Sequence, residues 1–367
     1  MIKLDGNYGE GGGSLVRVAL ALSALTGKEF SVEKIRSGRK DVGLKAQHVQ
    51  AIEALKQLCD AQTNPVEFGS LRLQFKPGKV KKGTYTIDIG TAGSISLLLQ
   101  ALILPAMFAS GKVTFVIKGG TCGKWQASVD YIQNVLFPYL QRFVEKIELK
   151  VLKRGYYPKG GGEVRVEISP KFKFIKYNSL EHLLEDLRLR TPKIMLTEQG
   201  TLEQIRGVVN VSSSLQEKEV GERIKKAAEN GLRKYKVPIN IRVEHNNTLS
   251  VGGEIVLWAI FSKSGKMDYD NPVILGSDAL VEERKSSEQI GQDAAQKLMA
   301  EIDSGACVDS HLTDQLIPFM GLLLGSEIVA GEITNHTLTN IYVAEKFLPI
   351  GFKVEGKRIR VEERNSV

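Results

Sequence analysis

Three cysteines, Cys59, Cys122 and Cys307, are too few and too scattered for a disulfide framework or a thiolate zinc site. Their odd number and isolation point to a reducing, cytoplasmic setting. Long apolar runs are also missing. The longest, residues 97–109, is broken by Gln100 and Pro105, well short of the ~18 apolar residues of a membrane span. The opening Met-Ile-Lys-Leu-Asp-Gly lacks the charged-then-apolar order of a signal peptide, so no membrane or secretory role is expected. What remains, 42% hydrophobic and 25% charged residues over 367 positions, is the composition of a globular chain large enough for two domains. A net charge of +8 favours a polyanionic partner without identifying one.

Histidine is scarce as well, with five in the chain. His336 stands out. It lies in Gly-Glu-Ile-Thr-Asn-His-Thr-Leu-Thr-Asn-Ile (331–341), ahead of the apolar run 341–348. A neutral imidazole there can serve as nucleophile, base or metal ligand. A hydrogen-bonded histidine at an element end fits the same stretch.

The chain repeats itself. A strand at 2–4, a glycine-rich turn at 9–13 and a helix at 15–25 are followed by a strand at 30–35, a helix at 46–58, and strands at 71–75 and 85–89. The order recurs with Gly-Thr-Ala-Gly-Ser (90–94), a helix over 95–108, a strand at 113–117, a helix over 129–143, and strands at 148–152 and 163–168. Gly13 to Gly43 and Gly93 to Gly123 are spaced alike. A third unit is read from about Ala279, with helices over 286–302 and 311–324 and strands at 352–354 and 358–361. Residues 180–277 break the pattern and read as an inserted small α/β domain, which leaves a large domain of residues 1–179 and 278–367 in three units (about 1–89, 90–179 and 278–367). The expected fold class is therefore α/β (α+β), with three βαβαββ-type units.

Several segments have the chemistry of a phosphate site. Gly9-Glu10-Gly-Gly-Gly13 precedes a helix, so its amides and the helix N-terminus suit an anion. A carboxylate in such a cradle makes sense if a divalent cation bridges Glu10 to phosphate. A tight structural turn would read the same way. Arg36 and Arg39 follow a strand, Arg17 lies on the helix after the cradle, and guanidinium forks suit phosphate; solvated surface arginines are the plainer alternative. Gln47 and His48 begin the next helix and can face the same crevice. Arg-Gly-Tyr-Tyr-Pro-Lys-Gly-Gly-Gly-Glu (154–163) reads as a hairpin turn or as a close approach to nucleic acid. His311 and Asp314 share a helix face, and Asp314 can cap that helix or orient His336. Leu316, Phe319, Met320 and Leu323 read as core.

Taken in order, these segments resemble the RNA 3′-terminal phosphate cyclase family. The matching pieces are Gly-Glu-Gly-Gly-Gly (9–13), Ile-Arg-Ser-Gly-Arg (35–39), Gly-Leu-Lys-Ala-Gln-His (43–48) and Gly-Thr-Ala-Gly-Ser with Leu-Leu-Gln100. Arg-Gly-Tyr-Tyr-Pro-Lys-Gly-Gly-Gly (154–162), His-Leu-Thr-Asp-Gln (311–315) and Asn-His-Thr-Leu-Thr-Asn (335–340) complete the set. Each is weak alone; together they span nearly the whole chain. The resemblance implies three repeated units like the C-terminal domain of translation initiation factor three, plus an insertion. It implies that His336 attacks the α-phosphate of ATP, carries AMP, and passes it to an RNA 3′-phosphate that then cyclises. It maps the nucleotide site onto Gln100 and Ser310, His311, Leu312, Thr313 and Asp314, with Asp314 beside His336. Arg17, Arg36, Arg39, Gln47 and His48 would hold ATP or RNA, and Glu10 would bind Mg or Mn. RNA with a 3′-phosphate end and ATP are the implied partners, and a homodimer is left open. A non-catalytic ribosome-assembly relative would lack the histidine, and an enolpyruvyl-type transferase would not need it.

Overall fold

The computed structural model describes residues 1–9 and 11–364. Glu10, the expected metal ligand, lies outside the described residues. The first sheet holds β1 (Ile2–Asp5), β2 (Phe30–Glu33), β3 (Gln62–Thr63) and β4 (Leu73–Lys76) in the order β1-β2-β4-β3. β1 and β2 run parallel, while β2–β4 and β4–β3 are antiparallel. The parallel step requires a crossover, supplied by α1 (Gly13–Thr26); α2 (Ala46–Cys59) joins β2 to β3. Every residue of α1 from Gly13 to Leu25 is buried. A helix that is apolar all round belongs at a centre, and α1 packs on α2, α3 and α10. It ends at Gly27, whose φ of 73° closes the helix and whose N–H donates to the Ser23 carbonyl.

The second sheet repeats the topology with β5 (Gly83–Asp88), β6 (Val113–Gly119), β7 (Val144–Lys153) and β8 (Gly162–Pro170) in the order β5-β6-β8-β7. Its helices are α3 (Ile95–Ala106) and a stretch in which α4 (Val129–Tyr131) passes through a π turn (Ile132–Leu136) into α5 (Phe137–Leu140). After α6 (Leu180–Arg190) comes β9 (Met195–Leu196).

The chain then leaves for a separate sheet: β10 (Thr201–Ser212), α7 (Val220–Leu232), β11 (Ile239–Asn246), β12 (Gly253–Ser262), β13 (Val273–Leu280) and α8 (Ser287–Asp303), with strand order β11-β10-β12-β13. It returns through α9 (Ser310–Met320), β14 (Glu327–Val329), α10 (Asn335–Phe347), β15 (Ile350–Glu355) and β16 (Arg358–Glu363). The order β15-β16-β14-β9 is the first sheet's topology for a third time: β9 and β14 parallel, β14–β16 and β16–β15 antiparallel. The fold class is thus three βαβαββ units with an inserted α/β unit.

The pairings frame the repeat one strand earlier than the sequence spacing suggests. β5, expected to close the first unit, pairs with β6 in the second sheet. The first unit's fourth strand is instead the two-residue β3, which precedes β4 in the chain and is too short to register as a periodic pattern. Likewise β9 opens the third sheet, and α8, expected as that unit's first helix, packs on α7, β12 and β13. The departing segment therefore sits between β9 and α9, where the other two units carry a glycine turn. Two matching bridges support the equivalence: Ser94 pairs in parallel with Gly120 at the foot of α3, and Val308 with Ala330 at the foot of α9.

A further difference is α10. Residues 335–347 form a helix, capped by Thr334, whose hydroxyl accepts from Thr337 N at 3.2 Å. The Thr- and Asn-rich start has poor helix propensity and hides the element. Leu316, Phe319, Met320 and Leu323 are all buried, as expected. The three cysteines are free and buried. No described helix is long and apolar enough to cross a membrane.

Candidate functional site

The site grows from α1. Arg17, buried in that apolar helix, is flanked by α3 and α2. Its Nε donates to Gln100 Oε1 at 2.7 Å, and its Nη1 lies 3.3 Å from His48 Nε2. The Lys45 N–H donates to His48 Nδ1 at 2.9 Å. A neutral imidazole that accepts at Nδ1 carries its proton on Nε2, so the ring and the guanidinium present donors side by side. Burial, then the charges of Arg17, Arg36 and Lys45, push the His48 pKa well below the usual histidine value. His48 is therefore neutral at pH 7. The residues alone place His48 toward the Arg17 crevice and the resemblance adds Gln100; the structure brings the three together, with Arg17 hydrogen-bonded to Gln100 and the His48 ring beside the guanidinium.

The glycine loop lies against α10. Gly9 has φ of 63°, and a Cβ there would sit 2.4 Å from Thr339 Oγ1, so glycine is required twice over, by conformation and by contact. Tyr8 stacks on Tyr342 with centroids 3.9 Å apart. The loop and the first turns of α10, which carry His336, are thereby held together.

His336 is exposed on the first turn of α10. One turn on, on the same face, Asn340 is buried. Its Oδ1 accepts from Ser14 Oγ at 2.6 Å, and its Nδ2 donates to the Asp314 carbonyl at 2.8 Å. Asn340 thus ties α10 to α1 and α9. Neither Ser14 nor Asn340 was singled out from sequence, because a buried asparagine looks like any polar helix residue until its partners are known.

Gln100, Asp314, Gln315 and Asn340 line one pocket, whose remaining wall is apolar and includes Val18, Ile103, Leu136 and Phe319. The pocket is narrow, about 30 Å³, room for little more than a water molecule. Gln315 Nε2 donates to the His311 carbonyl, while its buried Oε1 has no hydrogen-bond partner among the described residues. A buried acceptor left open beside a pocket takes its donor from a water or a ligand.

The α9 start is organised by Asp309. Fully buried, it accepts from Tyr131 Oη at 2.5 Å, Gly276 N at 2.7 Å, His311 N at 3.0 Å and Leu312 N at 2.9 Å. These link the second unit, the inserted sheet and α9. Of the five residues expected around a nucleotide here, Ser310 is half-buried, its N–H donating to Glu301 Oε1 at 3.1 Å, and His311 is exposed and edge-on to Tyr131. Asp314 faces the pocket. Leu312 points into the core, and the Thr313 hydroxyl is buried and bonded to the Asp309 carbonyl. The remaining expected residues lie on the loop before α2 and at its start. Arg36, at φ 55°, donates from Nε and Nη2 to the Asp41 carbonyl at 3.4 and 3.3 Å. Arg39 is exposed on the same turn, and Gln47 faces a larger cleft beside the site.

Three α/β repeats with a polar-rimmed pocket where α1, α3, α9 and α10 meet define the class of protein. A family model described as RNA 3′-terminal phosphate cyclase matches residues 8–354. Similar proteins carrying that name come from Pyrococcus furiosus (38% identical; 97% of this chain, 96% of the relative) and Methanopyrus kandleri (38%; 97% and 96%). Another, from Archaeoglobus fulgidus, is 37% identical over 99% of this chain and 100% of its own. The chain belongs to the RNA 3′-terminal phosphate cyclase family.

Proposed function

We propose that the protein converts an RNA 3′-phosphate to a 2′,3′-cyclic phosphate at the expense of ATP, with His336 as the covalent nucleophile. The observation that carries this reading is the convergence of α1, α3, α9 and α10 on one pocket, with His336 exposed one turn from Asn340 on its rim. Adenine would enter this pocket only as its apolar walls part, and Gln315 Oε1 would then accept from its amino group. The His48 and Arg17 donors suit a phosphate oxygen.

The chemistry follows from the substrate. A phosphomonoester resists nucleophiles through its own charge and offers no good leaving group. The His336 imidazole attacks the α-phosphorus of ATP, a P–N bond forms, and the P–O bond to pyrophosphate breaks. An RNA 3′-phosphate oxygen then attacks the same phosphorus and frees the imidazole, leaving RNA-3′-pp-5′-A. The adjacent 2′-hydroxyl attacks the RNA phosphorus, loses its proton and expels AMP. That last step is intramolecular, and well-oriented neighbours reach effective molarities on the order of 10⁵–10⁸ M. Splitting the reaction through the histidine replaces one difficult displacement by easier ones. Asp314, on the helix tied to α10, would orient the imidazole. Arg17, Arg36 and Arg39 would hold phosphates.

A divalent cation, Mg or Mn, would supply charge neutralisation at the triphosphate. Glu10 is the carboxylate proposed for it; among the described residues no group of three or more His, Cys, Asp or Glu is placed to hold an ion. Three scattered, buried thiols suit a cytoplasmic enzyme.

The test is a cyclisation assay. With ATP and Mg or Mn, RNA ending in a 3′-phosphate should become resistant to phosphatase, and RNA ending in a 3′-hydroxyl should be unchanged. Retention of a phosphatase-labile end under all conditions would remove the reading.

A further inference from the structure

We propose that the large cleft beside the pocket is the track for the single-stranded RNA upstream of its 3′ end, a proposal that rests on the RNA reading above. The cleft measures about 1160 Å³, beyond the roughly 300–1,000 Å³ typical of small-ligand pockets. Three parts of the chain build its walls: the turn 92–94 with loop 122–126, the hairpin tip 156–159, and segments 249–253 and 280–284 of the inserted unit. It reaches Gln47, next to His48, and Ser94, which caps the helix bearing Gln100. One end of the cleft thus lies along α3, where Leu97 lines the cleft and Gln100, one turn on, lines the pocket.

The glycines of 160–162 fix this geometry. Gly160, at φ 67°, brings the hairpin so close to the 90–94 turn that a Cβ would lie 2.8 Å from the Thr91 carbonyl oxygen. On the other side, Lys159 N donates to Ser250 Oγ at 3.0 Å, and a Cβ on Gly252 would meet the Tyr156 ring at 2.8 Å. The inserted unit is thereby fastened to the second unit, and the cleft is formed without a ligand.

Its walls carry two unusual aromatics. Trp125 is 95% exposed and Tyr157 81% exposed, although large aromatic rings ordinarily bury most of their surface. Trp125 also holds φ of 61°, an unfavourable conformation for a bulky residue. The only other tryptophan, Trp258, is buried. Lys159 and Arg284 line the cleft and make no ion pair among the described residues, Lys124 is neutralised by Glu282 at 2.9 Å, and Glu283 adds one carboxylate to the wall, leaving it with a net positive charge of one. Flat exposed rings interleaved with cations form the surface that stacks unpaired bases and follows a phosphate backbone with little regard to sequence. A duplex would hide those base faces, so the structure assigns the cleft to a single strand.

The experiment compares a 12-nucleotide RNA and a trinucleotide, both ending in 3′-phosphate, on the intact protein and on two exposed-site variants, Trp125→Ala/Tyr157→Ala and Lys159→Ala/Arg284→Ala. Fluorescence anisotropy without ATP should show the aromatic variant binding the 12-mer at least about 10-fold more weakly, with the trinucleotide unaffected. The lysine–arginine variant should flatten the log Kd against log salt slope by about 1.4, from roughly 0.7 per phosphate contact. In wild type, the 12-mer should quench Trp125 fluorescence. In cyclisation, KM for the 12-mer should rise while kcat stays put. Unchanged 12-mer affinity in both variants, or equal losses for the two RNA lengths, overturns the track. Cleft-dependent 12-mer binding by a protein that never cyclises RNA would sink the proposed reaction while leaving the track intact.

Discussion

Asn340→Ala is the perturbation whose cost follows most directly from the geometry. It removes the 2.6 Å bond from Ser14 and the 2.8 Å bond to the Asp314 carbonyl in one step. Ser14 is buried, so its hydroxyl loses its partner away from water, while the half-buried Asp314 carbonyl recovers part of its loss from solvent. Each buried group left unsatisfied costs about 1–3 kcal/mol, and a mid-range penalty of about 2 kcal/mol for Ser14 with a discounted one below about 1 kcal/mol for the Asp314 carbonyl gives about 2–3 kcal/mol. At about 2 °C per kcal/mol for a chain of this size, the melting temperature should fall by about 4–6 °C. Ser14→Ala alone should cost about 1 kcal/mol, and the double variant should fall short of the summed singles by about 1 kcal/mol, because the two share one bond. Function should suffer more than stability: α10 carries His336, and a displacement near 1 Å can cost about 10²-fold in rate. The assays are thermal melts of the four proteins and the rate of protein labelling from ATP labelled at the α-phosphate. Strict additivity of the two substitutions, or a labelling rate in Asn340→Ala equal to wild type, would refute the claim that this asparagine locks α10 to its neighbours.

Two pH-dependent predictions concern other buried groups. The His48 pKa is depressed, so acid protonates the unfolded chain first; stability present above about pH 6.5 is lost as pH falls toward the folded value. His48→Gln should lose less melting temperature than wild type between pH 7.5 and 5, and identical pH slopes would contradict the assignment. Glu254 on β12 is fully buried, with Oε1 3.7 Å from Arg154 Nη1, and burial with the nearby Asp130 charge pushes its pKa well above the usual range. Its neutral form is favoured in the folded state, so stability held at acid pH drains away as pH rises through the folded value, by up to about 1.4 kcal/mol per pH unit. Glu254→Gln should therefore gain on wild type between pH 5 and 8 in thermal melts; a constant difference would contradict a raised pKa.

Much of the fold was legible because its signals are local. The glycine turns at 9–13 and 90–94 and the amphipathic runs behind them announced two units, and the chain's third recurrence was visible as a repeat. The frame was harder. Two-residue strands such as Gln62–Thr63 and Met195–Leu196 carry no periodicity, so β5 and α8 were attached to the wrong neighbours. Within the site, Arg17, Gln100, Asp314 and His336 stood out by residue type and family motif. Asn340, Ser14 and Asp309 did not, since their significance lies in contacts across tens to hundreds of positions; Gln315 did not either, because its open Oε1 matters only once the pocket is seen. Leu312 and Thr313 show the converse: they belong to the motif, yet their side chains serve the core and the helix cap.

The central claim is the covalent role of His336, and protein labelling tests it most directly. Incubation with ATP labelled at the α-phosphate and a divalent cation should leave AMP on the protein in an acid-labile, base-stable bond, as a phosphoramidate requires. Peptide mapping should place the label on His336, and His336→Ala should take up none. Full labelling of His336→Ala, or wild type that cyclises RNA without ever acquiring label, would contradict the account.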